Sequence, residues 1–344
     1  VKRLVKGLTL VAISIVSNMT YAEGIRARGM GEAFHSLSND GTGWLYNPAG
    51  LANIGIGKID ITIEGAETWK RNDETNTIEK DSLDFSYASL TYFTEGNAAF
   101  GLYYQSSSIR TKESLYDEDS WYNKIDDIDR SMFGLGFAFG SGNHQFGGTV
   151  DMAEVDLGAS YLSSGFEYGG TAGYKWSISD MTGMSSHSAI GYNISLGASY
   201  QSEISYKADT FYDGRREIII RPSEMALAGS LSLTFFISDL GTTLTGAYDY
   251  IDSSHMLLTG LDDVTENRFG GELSFFSANA EDGLQVTLRT GLRQFNEDVL
   301  NDAMSLGLGL SYGMHTVEFA TWEEPTLDIN EDRMGLSYSF IWGG

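Results

Sequence analysis

No cysteine occurs in this sequence of 344 residues, and proline is confined to Pro48, Pro222 and Pro325. Disulfides and thiolate metal sites are therefore excluded, and an exported chain of this kind must be held by hydrogen bonding and packing. So few prolines leave long strands uninterrupted, because each one would remove a donor from a ladder. Nothing approaches about 18 consecutive apolar residues, so no helical membrane span is encoded. Basic residues are scarce: 22 Lys and Arg stand against 47 Asp and Glu, a formal charge of −25. That balance lacks the basic footprint of a nucleic-acid binder.

Chemistry-bearing patterns are also thin. His35, His144, His187, His255 and His315 are scattered, with neither metal-ligand spacing nor an evident Ser-His-acid arrangement. Gly29-x-Gly31 lacks the strand, helix and following acidic residue of a phosphate-cradling loop. No catalytic residue, metal or cofactor is expected.

What is plentiful is glycine (41), tyrosine (19) and phenylalanine (18), at a mean hydropathy of only −0.18. A membrane β-barrel has this profile, since its apolar content is hidden in every second residue. Residues 1–22 read as a secretory signal. Lys2, Arg3 and Lys6 make a basic start, Leu8 to Val16 an apolar core, and Thr20-Tyr21-Ala22 a small-x-small cleavage site before Glu23.

From Ile56 onward the period is two. Ile59, Ile61, Ile63 and Trp69 share one parity, and Lys58, Asp60, Thr62 and Glu64 the other. Phe133, Leu135, Phe137 and Phe139 alternate with Gly134, Gly136, Ala138 and Gly140, large groups facing lipid and minimal groups facing a crowded interior. Fourteen such segments are counted between Ile56 and Trp342, an even number as a single-chain barrel needs. His144 to Tyr161 changes parity between Met152 and Val155, which leaves a bulge or a tight hairpin open there. The predicted fold is all-β: a closed antiparallel transmembrane β-barrel of about 14 strands over residues 54–344. The last strand carries Leu336, Tyr338, Phe340 and Trp342 in one parity, an apolar-aromatic ending suited to barrel-assembly machinery.

Residues 23–53 break the rhythm. Small residues dominate, and Asn, Asp and Gly set turns, so the segment can fold compactly inside a narrow space. Its motif Arg28-Gly29-Met30-Gly31-Glu32-Ala33-Phe34, an acidic turn at Asp40, then Asn47-Pro48-Ala49-Gly50-Leu51 resembles the mature N-terminus of FadL-type outer-membrane transporters and of related PorV-type barrels. Ser195 to Ile204 followed by Arg221-Pro222-Ser223-Glu224 is a second match, in the right order. The resemblance implies an N-terminal hatch plugging the lumen, and passage of long-chain fatty acids or hydrocarbons through it and sideways out of the wall. Lateral exit is physically sensible, because it avoids returning apolar area to water at about 25 cal/mol per Å².

Parity also places cations. Leu284, Val286, Leu288 and Leu292 face lipid, so Arg289 and Arg293 point into the lumen; an arginine on the lipid face would cost about 2–4 kcal/mol at the midplane. Arg268, opposite in parity to Phe269, and Lys175, beside Tyr174 and Trp176, point inward as well. These four are candidates for a ligand carboxylate, arginine being suited to bidentate recognition. The alternative is that they pair with lumen carboxylates such as Glu272 or with Asp40. In the hatch, Asp40 is a candidate pin to a wall arginine, and Asn47 and Pro48 form a pre-set bend. Acidic clusters at Asp117-Glu118-Asp119 and Asp126-Asp127-Ile128-Asp129 read as solvated loops, with divalent-cation binding as the alternative.

The expectation is an outer-membrane monomer for passive uptake of a hydrophobic small molecule, surrounded by outer-membrane lipids. Two alternatives stand beside it: a PorV-type barrel that binds or shuttles secreted proteins, and an outer-membrane lipid hydrolase.

Overall fold

The computed structural model describes residues 24–53, 57–72, 77–110, 127–156, 165–180, 190–210, 214–237, 240–256, 261–277, 283–296, 300–325 and 330–342. The expected leader, the 117–119 cluster, the side chains of 126–129 and the terminal Gly343-Gly344 lie outside them.

Alternation builds the wall. Among the described residues sixteen strands follow in chain order: β1 (Lys58–Asn72), β2 (Thr77–Phe93), β3 (Ala98–Arg110), β4 (Asp127–Ser141), β5 (His144–Asp156), β6 (Gly165–Asp180), β7 (Ile190–Gln201), β8 (Ile204–Thr210), β9 (Gly214–Arg221), β10 (Glu224–Ile237), β11 (Leu240–Met256), β12 (Leu261–Ser277), β13 (Leu284–Phe295), β14 (Ala303–Tyr312), β15 (His315–Pro325) and β16 (Asn330–Trp342). Fourteen of them form one closed barrel, each antiparallel to its neighbours, with β1 and β16 sealing it. Each barrel strand has a paired neighbour on both sides, so the wall closes on itself and needs no disulfide.

β8 and β9 stand apart as a two-stranded hairpin between β7 and β10, which pair directly with each other. Sequence periodicity merges β8 into β7 and β9 into β10. The breaks come at Ser202-Glu203 and Pro222-Ser223, where Pro222 has no N–H to offer a ladder. In β5 the register against β4 runs from Ser141↔His144 to Asp129↔Asp156 without a shift, so no bulge lies there.

The outward parity carries an apolar band: Phe100, Leu102, Leu135, Phe137, Val150, Leu196, Leu227, Leu288 and Leu306 are all exposed, Leu135 by 61%. An apolar band that rings a whole sheet is stable against hydrocarbon and not against water. Inward positions carry the opposite content, with Asp60, Glu64, Asp151, Asp249, Glu266, Arg268, Arg289, Arg293 and Glu324 all buried.

Candidate functional site

The N-terminal segment opens with a short helix α1 (Ile25–Gly29), continues through turns to a second, α2 (Gly43–Tyr46), and ends in a 3-10 helix (Pro48–Asn53). Its side chains are nearly all buried, Ala27, Met30, Phe34, Trp44, Asn47 and Leu51 completely. It touches inward-facing groups of all fourteen barrel strands.

One half of the segment is held by charge. The Glu64 carboxylate on β1 accepts from Gly24 N at 3.1 Å and Ile25 N at 3.0 Å, satisfying donors at the start of α1. Arg26 reaches Glu272 on β12 at 3.2 Å and Asp40 at 3.3 Å. Arg28 pairs with Glu32 within the segment and with Glu324 on β15 at 3.0 Å. Glu32 in turn receives Arg268 of β12 at 3.1 Å and Arg293 of β13 at 3.5 Å. Gly31 N donates to Ser305 on β14, and the backbone N–H groups of Phe34 and His35 both donate to Asp249 on β11. The His35 ring lies 2.8 Å from Asp249 and 3.5 Å from Glu224 on β10.

The other half is held by packing. Trp44, Leu51 and Ala52 cluster with Tyr87, Phe93, Ala99, Tyr103 and Ala138 of β2, β3 and β4. Trp44 Nε1 donates to Thr91 Oγ1 on β2 at 2.8 Å. Asn47 Nδ2 donates to the Tyr174 carbonyl on β6, and Asn47 Oδ1 accepts from Ala49 N, fixing the turn that Pro48 begins. Pro48 sits against Gly147 of β5, His35 against Gly197 of β7, and Ile25 against Gly335 of β16.

The four sequence-selected cations are all inward and buried. Arg289 pairs with Glu272 at 2.7 Å and Glu318 at 2.9 Å; Arg293 pairs with Glu266 at 2.5 Å and Glu324 at 3.4 Å; Arg268 pairs with Glu266 at 3.0 Å. Lys175 Nζ donates to the Leu37 carbonyl at 3.2 Å. Asp40 meets Arg26 of its own segment, and Arg26 bridges it to Glu272 of the wall. Glu32, Glu64, Asp249, Glu266 and Glu324 were not singled out by sequence. Their signal is a carboxylate at the inward parity of a strand, or inside the motif itself.

At the β2–β3 junction the wall changes. These strands pair from Phe93↔Ala99 up to Tyr87↔Gln105, and among the described residues no ladder pair joins them beyond it. Both strands nevertheless continue, β2 paired to β1 as far as Asn72↔Thr77 and β3 to β4 as far as Arg110↔Asp127. The cause is local: a register shift at Glu64/Gly65 leaves Ser86 as an extra residue on β2, its Oγ donating to the Glu64 carbonyl. Such a bulge bends and twists its strand. Phe85 stacks on Tyr104 across this seam at 5.8 Å, and Tyr104 leans on Phe133 at 4.8 Å.

A second buried cluster sits at the base of the β8–β9 hairpin. Arg221 pairs with Asp151 of β5 at 2.5 Å and donates to the Ser202 carbonyl, while the Tyr103 hydroxyl donates to the same Asp151.

No protein-family model matches the sequence, and no curated relative does. Solved structures do match. The Ralstonia pickettii toluene transporter TbuX superposes with a TM-score of 0.50 at 11% identity, over 94% of this chain and 99% of its own. The CymD monoaromatic hydrocarbon channel does so with a TM-score of 0.51 at 12% identity, over 95% and 99%. At such identities the likeness is one of architecture, and it spans nearly the whole of both chains. The chain thus has the barrel fold of the FadL-type hydrophobic-compound transporters that its Arg28–Phe34 and Asn47–Leu51 motifs resemble.

Proposed function

We propose that this protein is an outer-membrane channel through which hydrophobic small molecules pass without an energy source, and that residues 24–53 are the plug that must yield. The observation that carries the reading is the placement of the N-terminal segment. It is bonded to inward groups all around a lipid-facing barrel, and its apolar half packs on the two strands that part at Tyr87 and Gln105.

A hydrophobe that enters from the loop side and passes the plug has a short route to the seam and from there into the bilayer. No water crossing is needed, which removes the main free-energy barrier for such a ligand. The chain shares its fold with proteins described as a toluene transporter and a monoaromatic hydrocarbon channel, which agrees with this class of cargo.

Seating and passage use the same residues. The cleft beside Arg28, Gly31, Glu32, Arg293 and Ser305 has a volume of only about 10 Å³, roughly the space of one water. Passage beside this cleft needs the segment to shift, against the ion pairs of Glu32, Arg26 and Arg28. When it shifts, Lys175 loses the Leu37 carbonyl and Arg268 and Arg293 lose Glu32. Those are the groups that would meet a ligand carboxylate in the opened lumen.

The test is uptake of labelled fatty acid and of a labelled aromatic hydrocarbon by cells with and without the protein. Faster uptake of either by the expressing cells is expected. Equal rates in both strains for both compounds would end the channel reading.

A further inference from the structure

We propose that the Trp44 indole occupies a slot shaped for an uncharged, planar aromatic molecule, and that such a molecule takes its place when the plug yields. This rests on the channel reading and narrows its cargo.

The slot is built by register. Gly101 of β3 and Gly136 of β4 are directly paired, and both face inward beneath the indole; a Cβ at either position would overlap the ring. Two bare backbones side by side make a flat floor, which suits a ring face and wastes contact with a flexible chain. Ala99 and Ala138, the next inward pair on the same strands, extend that floor. Tyr87, Tyr103 and Leu51 complete the enclosure.

Its polar content is small and specific. Thr91, opposite Gly101 in the β2–β3 ladder, accepts the indole N–H. One inward step higher, the buried Ser89 hydroxyl lies against the Gly41 backbone beside the slot.

Position completes the case. Thr91 and Gly101 lie on the same two strands that part at Tyr87 and Gln105, so the slot stands four residues below the seam, about 13 Å at strand rise. A ring leaving the slot along β2 reaches the opening past Ser89 and Tyr87, beside Asp60 and Glu64 of β1. The cations that a yielding plug frees, Lys175, Arg268 and Arg293, stand on β6, β12 and β13, away from the β3–β4 floor, so a neutral ring suits the slot itself.

The experiment uses the intact chain in nanodiscs, its six tryptophans replaced by 5-fluorotryptophan, with the Trp44 fluorine resonance identified by its loss in Trp44→Phe. Toluene and indole should each move that resonance from its buried to its solvent-exposed position, indole at the lower concentration. Thr91→Val should cancel the advantage of indole, and palmitate should leave the resonance in place. A Trp44 signal that stays fixed while toluene crosses proteoliposomes, or that palmitate moves as readily as toluene, overturns the proposal. Flux is recorded in parallel with the same protein. A selective aromatic shift without flux of any compound would remove the channel reading and leave the slot standing.

Discussion

Gly31 of the N-terminal segment and Gly291 of β13 meet backbone against backbone. A Cβ on Gly31 would come within 3.0 Å of Gly291 Cα, and one on Gly291 would overlap the Met30–Gly31 peptide. Gly31 also has a φ of +60°, in the left-handed region where glycine is at ease. Gly291→Leu should therefore unseat the segment while sparing the ladder, since Gly291 keeps its pairings to Gly270 and Ser305. The strain of overpacking is about 1–3 kcal/mol, enough to shift a plug but not to dissolve a barrel. Expected are a raised ion conductance in planar bilayers and new tryptic cleavage at Arg26 or Arg28, with heat-modifiable migration retained. Unchanged conductance would mean that the segment does not block the lumen.

Much of this was legible in sequence because strand parity is a local property. The faces of Phe133–Phe139 and of Leu284–Leu292 follow from alternation alone, and so does the inward direction of Arg268, Arg289 and Arg293. Partners were not legible. Arg293 meets Glu32 and Glu324, which lie 261 and 31 residues away, and no periodicity encodes which inward groups face each other across a lumen. The seam was hidden for a similar reason. The bulge at Ser86 arises from pairing between β1 and β2, and neither strand shows it when read singly.

Glu32 is where the charged half of the segment is most concentrated. Burial works against its ionisation, but Arg28, Arg293 and Arg268 outweigh it and hold the carboxyl down at about 2. A depressed value means that the stabilisation is present above the ordinary carboxylate range and lost only as pH falls toward 2. Amide exchange protection of residues 24–36 should thus persist from neutral pH to about pH 4 and collapse below it. Glu32→Gln leaves three buried guanidinium groups short of a carboxylate. Removing one partner of a buried pair costs about 3–5 kcal/mol, so the variant should show that collapse already at neutral pH. Unaltered protection in Glu32→Gln would mean that the ion pairs do not seat the segment.

His35 predicts the opposite pH limb. Burial disfavours its charged form, but the bonds to Asp249 and Glu224 prevail and raise it to about 9; Glu32 and Arg268 are the other charged groups near it. For a raised value the stabilisation is complete below the ordinary histidine range and disappears as pH climbs through 9. Conductance should accordingly rise on alkaline titration with a midpoint near that value. His35→Gln should be open to a similar degree at neutral pH and lack the transition. A titration identical in the variant would assign the alkaline opening to another group.

The seam and the seat of the plug share one residue. Glu64 grips Gly24 and Ile25 with its carboxylate, while its carbonyl accepts from Ser86, the bulged residue where β2 leaves β3. Ser86 and Ser106 are the positions that would pair next if the β2–β3 register continued past Tyr87↔Gln105, and both are buried. The natural chain has no cysteine, so Ser86→Cys with Ser106→Cys gives a single possible cross-link. Oxidation should staple the seam and lower hydrocarbon flux in proteoliposomes, and reduction should restore it, with ion conductance unchanged throughout. If flux in the fully cross-linked protein equals that of the reduced form, the cargo leaves by another route. Adding Glu64→Ala separates the two roles of that residue. With the start of α1 released, conductance should rise whether or not the seam is stapled, whereas flux should still follow the redox state of the cross-link, because the exit and the plug are then distinct barriers in series.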